Sequence, residues 1–350
     1  MDLPRYDISK TYSWNYDHPP TPVEVDVPKV EGIWKFLGLP VDSPIGIPAG
    51  PLLNGKWCLY YASLGFDVLT YKTVRSSARE CYPLPNLVPL ECGQLTGREQ
   101  SIASSTTMTG SWAVSFGMPS AAPDDWRRDV EWTRKNLPGG KLLNVSVVGT
   151  IQNGWTINDL ANDYAKCAAW AVESGAHTIE INLSCPNVAT CDGQLYQNPE
   201  SARIVVRDVR AAIGETPLSV KIGHLTSRSA ATGLLDALER LADGLAMTNS
   251  VATTVTGQHG IVFDGQRRGI CGDAIRGASL SQVQMFSELM QLHGKKMALI
   301  ACGGAATAEH VQQYLKCGAK AVHIATAAMI DPNLAIRIKR SRFQASPKVP

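Results

Sequence analysis

Long apolar runs are missing from this 350-residue sequence: no stretch approaches the ~20 uninterrupted apolar residues that cross a bilayer. The opening residues, MDLPRYDISKTYSWNYDHPP, lack the apolar centre of a secretory leader. An excess of one charge is missing too. Lysine and arginine number 33 against 31 aspartates and glutamates, and the net charge of +2 excludes bulk attraction to nucleic acid or an anionic membrane. Paired metal-ligand spacings are also absent. The nine cysteines, at 58, 81, 92, 167, 185, 191, 271, 302 and 317, include no C-x-x-C, and the seven histidines no i, i+4 pair. An odd number of unpaired cysteines fits free thiols in a reducing compartment. These absences predict a soluble, cytoplasmic protein with no metal, no nucleic-acid partner and no membrane partner.

Short apolar runs alternating with amphipathic stretches are present, the pattern of βα units on a parallel sheet. The runs predict eight strands, at Ile45–Ala49, Val68–Lys72, Leu142–Val148, Thr178–Leu183, Leu218–Ile222, Leu245–Asn249, Met297–Ala301 and Ala321–Ala325. Helical periodicity follows at Asn158–Glu173, Pro199–Ile213, Ser279–Leu292 and Ala308–Cys317, the last stopped by Gly318. Eight such strands predict an α/β fold closed into a (β/α)8 TIM barrel over residues 41–340. Residues 1–40, rich in Pro, Asp and Tyr, are expected to form an N-terminal arm with a short element at Ile33–Leu37. Residues 341–350 form a C-terminal tail. The connections Val74–Lys141, with a hairpin around Leu87–Cys92, and Ser250–Ala278 are too long for ordinary βα loops. They are expected to cover the C-terminal mouth of the barrel. His177 and His323 fall in apolar strands and read as satisfied core or rim residues, whereas His224 follows a strand near the mouth. The Arg337–Arg342 cluster reads as a solvated final helix.

Chemistry in a closed barrel gathers where strands end and βα loops begin. Those ends hold Ala49-Gly50, Lys72-Thr73, Asn182, Lys221, Thr248-Asn249-Ser250, Gly303-Gly304 and Ala325-Thr326. The most specific stretch is Glu180-Ile-Asn-Leu-Ser-Cys-Pro-Asn187. Alternation puts Asn182 and Ser184 on the face opposite Ile181 and Leu183, and Pro186 ends ladder pairing, leaving Cys185 in a loop at the barrel mouth. A thiol, with an ordinary pKa of ~8.5, can exchange a proton near neutrality.

The N-L-S-C-P-N run and the blocks around it resemble the dihydroorotate dehydrogenase family over about residues 43–335. The likeness is to its soluble class with a cysteine base, and it extends to the pyrimidine-reducing domain of dihydropyrimidine dehydrogenase. The resemblance implies FMN as cofactor and Cys185 as the catalytic acid/base. It implies that Ala49-Gly50 lies along the flavin, that Lys72 and Thr73 sit near flavin and substrate, and that Lys221 faces the negative charge of the reduced ring. Asn182 and Thr248 join the cofactor set. Gly303-Gly304 and Ala325-Thr326 resemble the phosphate-binding elements, and the Gly269–Gly272 segment another flavin-lining piece, contributing Gly272. A ring of carboxamides suits a pyrimidine-dione edge, and Asn182, Asn187 and Asn249, with Ser250, match three of those positions.

The fourth position departs from the pattern. Where relatives place an asparagine, this chain reads Ser111-Trp-Ala-Val-Ser-Phe-Gly-Met-Pro119, with Ser115 the nearest polar substrate-binding candidate and Trp112 and Phe116 as an apolar wall. Two milder departures are Ala325 in place of a glycine and Asp192-Gly193-Gln194 after Cys191, closer to the dihydropyrimidine dehydrogenase version. The expected activity is interconversion of a dihydropyrimidine and its unsaturated form. The alternatives are a desaturase or ene-reductase on a non-pyrimidine polar substrate, and an inactive flavin-binding barrel. The electron acceptor would be soluble or a separate subunit, and soluble relatives imply a homodimer.

Overall fold

The computed structural model describes residues 3–184, 191–257 and 260–341. Eight strands close into a barrel in chain order: β1 (Ile45–Ile47), β2 (Val68–Val74), β3 (Leu142–Val147), β4 (Thr178–Asn182), β5 (Leu218–Lys221), β6 (Gly244–Met247), β7 (Ala298–Cys302) and β8 (Ala319–His323). All eight pairings are parallel. Each strand is where its apolar run predicted, within two residues, because strands covered on both faces must be apolar almost throughout. The helices behind them carry their own stop and start signals. Thr156 and Asp159 form a reciprocal capping box at Ile157–Glu173, and Asn198 caps Pro199–Ile213 with proline at its first position.

The antiparallel hairpin of Trp34–Phe36 and Leu39–Val41 closes the N-terminal end of the barrel. Its Phe36 and Val41 pack with Val68, Leu142, Ala246, Ile300 and Ala321, in a cluster separate from the main core outside the strands. Residues before this hairpin are stitched to the helix Gly55–Ser63: Trp57 Nε1 donates to Asn15 O at 3.1 Å, and Tyr60 Oη to Pro4 O at 2.6 Å.

The two long connections merge into one sheet, of which only the Leu87–Cys92 hairpin was expected. Val251–Gly257, Arg268–Gly272, Ser111–Val114, Leu87–Glu91 and Ser101–Ser104 pair in that order, and the last pairs back to the first through Thr254↔Ser101. The ring so closed has its own core, including Leu90, Ile102, Val255 and Ile270.

Two expectations need correction. The final helix, Leu334–Arg340, is not solvated throughout: Lys339 is buried and donates to Asp67 Oδ2 at 2.6 Å. Asp67 also receives Lys141 at 2.6 Å and the Ser43 hydroxyl, so one buried carboxylate organises two ammonium groups. His323 is buried, but neither ring nitrogen has a hydrogen-bond partner. His177 is satisfied as expected, its Nδ1 accepting from Leu143 N at 2.9 Å. No helix among the described residues is long and apolar enough to cross a membrane.

Candidate active site

The C-terminal strand ends and the second sheet line a cavity, open on one side, whose free space including the solvent at its mouth is about 900 Å³. Side chains two apart on a strand share a face, so Lys72, Asn182 and Lys221 converge there from β2, β4 and β5. The β4–β5 register sets Lys221 directly opposite Asn182. Lys221 is only 2% exposed and Lys72 6%, so both ammonium groups act in a poorly solvated space where a charge is strongly felt. Ala49, Gly50, Thr73, Asn249, Ser250, Ala325 and Thr326 complete the predicted residues on this cavity.

Hydrogen bonds fix several of these groups. Asn182 Oδ1 accepts from Ser184 N at 2.9 Å, and Asn249 Nδ2 donates to Ser184 O at 2.9 Å, so the two carboxamides are tied through one residue. Thr73 and Ser146 hydroxyls lie 3.0 Å apart. Thr248 donates its hydroxyl to Gln282 Oε1 at 2.8 Å, and Gln282 Nε2 donates to Gly223 O at 2.9 Å. Gln282, on a helix behind the barrel, carries no motif and was not anticipated.

A second cavity, also open to solvent, adjoins the first through Asn249, Cys271, Cys302, Ala325 and Thr326, and is lined by Thr248, Gly272, Gly303 and Gly304. The backbone here has no room for side chains. A Cβ on Gly272 (φ +94) would lie 2.2 Å from Gly110 O, and one on Gly304 (φ +70) 2.7 Å from Arg276 Cβ. The Thr326 hydroxyl beside this cradle is buried without a partner.

Trp112, Val114, Phe116 and Met118, joined by Leu87, make one wall of the first cavity apolar, and Met118 Sδ lies 3.7 Å from Asn182 Nδ2. Ser115, the expected polar contact, does not line the cavity. Its hydroxyl accepts from Arg268 Nε at 2.9 Å and its backbone bonds to Asn86 on both sides. Alternation turns Val114 inward instead. Tyr6, from the N-terminal segment, also lines the cavity and meets Phe116 edge-on with centroids 5.9 Å apart. No periodicity in its surroundings could have found it.

Cys185 and Asn187 lie outside the described residues. Each cysteine of known environment has its thiol pushed up, by burial first; Cys271, on the cavity wall, reaches about 12. None of these seven is a ready proton acceptor near neutrality. His224 lies with Tyr196 in a polar recess that adjoins the first cavity through Ser184 and Ser250.

The profile described as Dihydroorotate dehydrogenase matches residues 106–342, more than half of the chain. The chain belongs to the dihydroorotate dehydrogenase family. It is 29% identical to the dihydroorotate dehydrogenase of Dictyostelium discoideum, over 96% of this chain and 97% of that protein. It is 24% identical to the catalytic subunit of dihydroorotate dehydrogenase B (NAD(+)) of Maridesulfovibrio salexigens, over 87% and 89%. Among solved structures, dihydroorotate dehydrogenase of Eimeria tenella in complex with ferulenol superimposes with a TM-score of 0.75 at 18% identity, covering 94% of this chain and 88% of that one. That likeness supports the barrel fold, and family membership makes the chain an oxidoreductase.

Proposed function

We propose that this chain is an FMN-dependent oxidoreductase that interconverts a dihydropyrimidine and its unsaturated form. The observation carrying this is the pairing of two cavities: one with two buried lysines and two tethered asparagines, the next a glycine cradle with an orphaned threonine hydroxyl. A phosphate fits the cradle, since Gly272, Gly303 and Gly304 line the cavity with no side chain of their own and the buried Thr326 hydroxyl has no partner. Gly272, Gly303, Gly304, Ala325 and Thr326 would hold the phosphate end, and Ala49, Gly50, Lys72, Thr73 and Lys221 the ring. When bound, the flavin supplies the two-electron acceptor for a substrate C–H bond.

The remaining work belongs to side chains of this chain. Asn182, Asn249 and Ser250, with Asn187, orient the substrate ring, whose donors and acceptors carboxamides can match. Lys72 and Lys221, which line the cavity, would place positive charge near a bound ring. Cys185 takes the proton from the neighbouring ring carbon; its role rests on the Asn-Leu-Ser-Cys-Pro-Asn motif. The aromatic wall excludes water. The electron acceptor is a soluble molecule or a separate subunit, the resemblance alone carries the homodimer forward, and the composition and free cysteines alone carry the cytoplasmic location.

The apolar wall favours one refinement. With Val114 on the cavity wall, in the Val114–Ser115 region where the family pattern places an asparagine, a dihydropyrimidine lacking a charged substituent is a better substrate than dihydroorotate. The test is to release the cofactor by heat, identify it by chromatography, and follow anaerobic bleaching with dihydroorotate, dihydrouracil and dihydrothymine. FMN with bleaching by a dihydropyrimidine is expected. FAD, no flavin after reconstitution, or no bleaching by any of the three overturns the proposal.

A further inference from the structure

One layer below the cavity floor, the barrel interior holds a carboxyl group that the proposed chemistry does not use. Thr178, Glu180 and Asn182 share the inward face of β4, and Ser146 of β3 and Ser219 of β5 stand opposite Glu180 in register. Asn182 and Lys221 reach the cavity, whereas Glu180 does not line it and is 1% exposed. Neither carboxylate oxygen has a hydrogen-bond partner. Of its in-register neighbours, Ser219 donates to Ile179 O at 3.3 Å, and Ser146, 3.0 Å from the Thr73 hydroxyl, stands near the carboxylate and favours its charged form without closing a full hydrogen bond to it.

An ionised carboxylate in that position depends on a nearby cation, because burial without hydrogen bonds penalises the charged form heavily. The titratable groups that share its electrostatic environment are Lys221 on β5, Cys302 on β7 and His323 on β8. Lys72 of β2 lines the cavity above. His323 supplies no charge: burial, reinforced by Lys221, pushes it down to about 3, and it stacks on Phe36 with centroids 5.5 Å apart. Burial raises the Cys302 thiol, which stays protonated. The charge balance of this layer therefore rests on Glu180 and Lys221. Burial raises Glu180 above the usual carboxylate range, with Lys221 first among the groups opposing the rise.

Lys221 also faces the cavity, so its positive charge is shared between two anions when the bound cofactor is reduced. We propose that Glu180 is a redox-linked proton acceptor: ionised against Lys221 while the cofactor is oxidised, and protonated when the cofactor's negative charge claims that lysine. This rests on the flavin reading above. Two electrons and one hydrogen leave the substrate for the cofactor, and the second hydrogen leaves as a proton to the base. The proton at Glu180 is a third one. It comes from solvent, forms an O–H bond on reduction, and returns to solvent on reoxidation. Glu180 thus acts through Lys221 and touches neither substrate nor cofactor.

The experiment measures the midpoint potential of the flavin-loaded protein against pH by spectroelectrochemistry, for the native chain and Glu180→Gln. The native chain should show a window in which its dependence is steeper by one proton per two electrons. That is a further tenfold in the equilibrium constant per pH unit, or about 30 mV. Equal slopes across the pH range overturn the assignment. Should Glu180→Gln fail to fold or to hold flavin, a reduced-minus-oxidised infrared spectrum of the native protein carrying ¹³C-labelled glutamate decides the matter. An isotope-shifted protonated-carboxyl band must appear on reduction, and its absence overturns the proposal. A chain that takes up no flavin overturns the functional reading and this assignment together. A flavin-loaded chain with equal slopes overturns this assignment alone.

Discussion

Val114→Asn should move substrate preference toward dihydroorotate. Val114 ends the strand Ser111–Val114 and is paired on both sides, with Gly269 and with Leu87, so its backbone position is set by two ladders and survives a side-chain change. The side chain lines the cavity beside Trp112, Phe116 and Met118. Met118 in turn touches Asn182, so a carboxamide at 114 would stand near one already in place. A new carboxamide offers one or two hydrogen bonds to the carboxylate that dihydroorotate carries and dihydrothymine lacks, each worth a net of about 1 kcal/mol. With RT near 0.59 kcal/mol, one bond is about fivefold and two about thirtyfold in discrimination. The loss of β-propensity costs under about 1 kcal/mol of stability and leaves a large barrel folded. The assay is kcat/KM for dihydroorotate and for dihydrothymine with native and variant protein under one acceptor. The ratio should shift toward dihydroorotate by roughly five- to thirtyfold. An unchanged ratio in a variant that keeps its flavin would show that the polar edge of the substrate does not face this wall. Native protein that turns over dihydroorotate well ahead of the neutral rings would refute the reasoning altogether.

Three further outcomes are expected. Cys185→Ala should keep fold and yellow colour but slow anaerobic bleaching by ~10²–10⁴ in stopped-flow, while Cys191→Ala should leave it near normal; the reverse pattern would identify the wrong base. Lys221→Ala should lower the flavin's midpoint potential and weaken its binding by about 1.5–3 kcal/mol, read by spectroelectrochemistry and by fluorescence titration; an unchanged potential would remove Lys221 from the ring's surroundings. The third concerns acid stability. Folding holds His323 at about 3, against 6.5 unfolded, so only the unfolded chain gains its proton between those values. The stability that depends on neutral His323 is whole above pH 6.5 and declines as pH falls toward 3, by about 2 kcal/mol between pH 7 and 5. His323→Gln should flatten that loss in urea titrations, and an identical pH dependence would count against a buried neutral imidazole.

Much of the barrel was legible because burial on both faces leaves a signature in one dimension. Val68–Val74 and Thr178–Asn182 are buried at every position, and such runs can be read without knowing their partners. The helix at Pro199–Ile213 was equally plain, with its asparagine cap, its proline and its apolar stripe. The strand-end lysines and asparagines followed from the same reading, since alternation states which side chains share a face. The amino-acid order by itself therefore determined the eight strands, their inward residues and the motif around Cys185. It could not determine what faces what across space. The ring of short strands pairs Thr254 with Ser101, and a half-buried strand of four residues carries too little pattern to announce so distant a partner. A one-residue register choice turned Val114 inward and gave Ser115 to Arg268, a distinction set by the ladders on either side. Lys339 looked solvated because its helix is short and basic, yet that helix docks where the buried Asp67 accepts it from 272 residues away. Glu180, Lys221 and His323 come from three strands, and only closure of the barrel brings them together in a poorly solvated interior, where the Lys221 charge opposes the burial-driven rise of Glu180 and adds to the fall of His323.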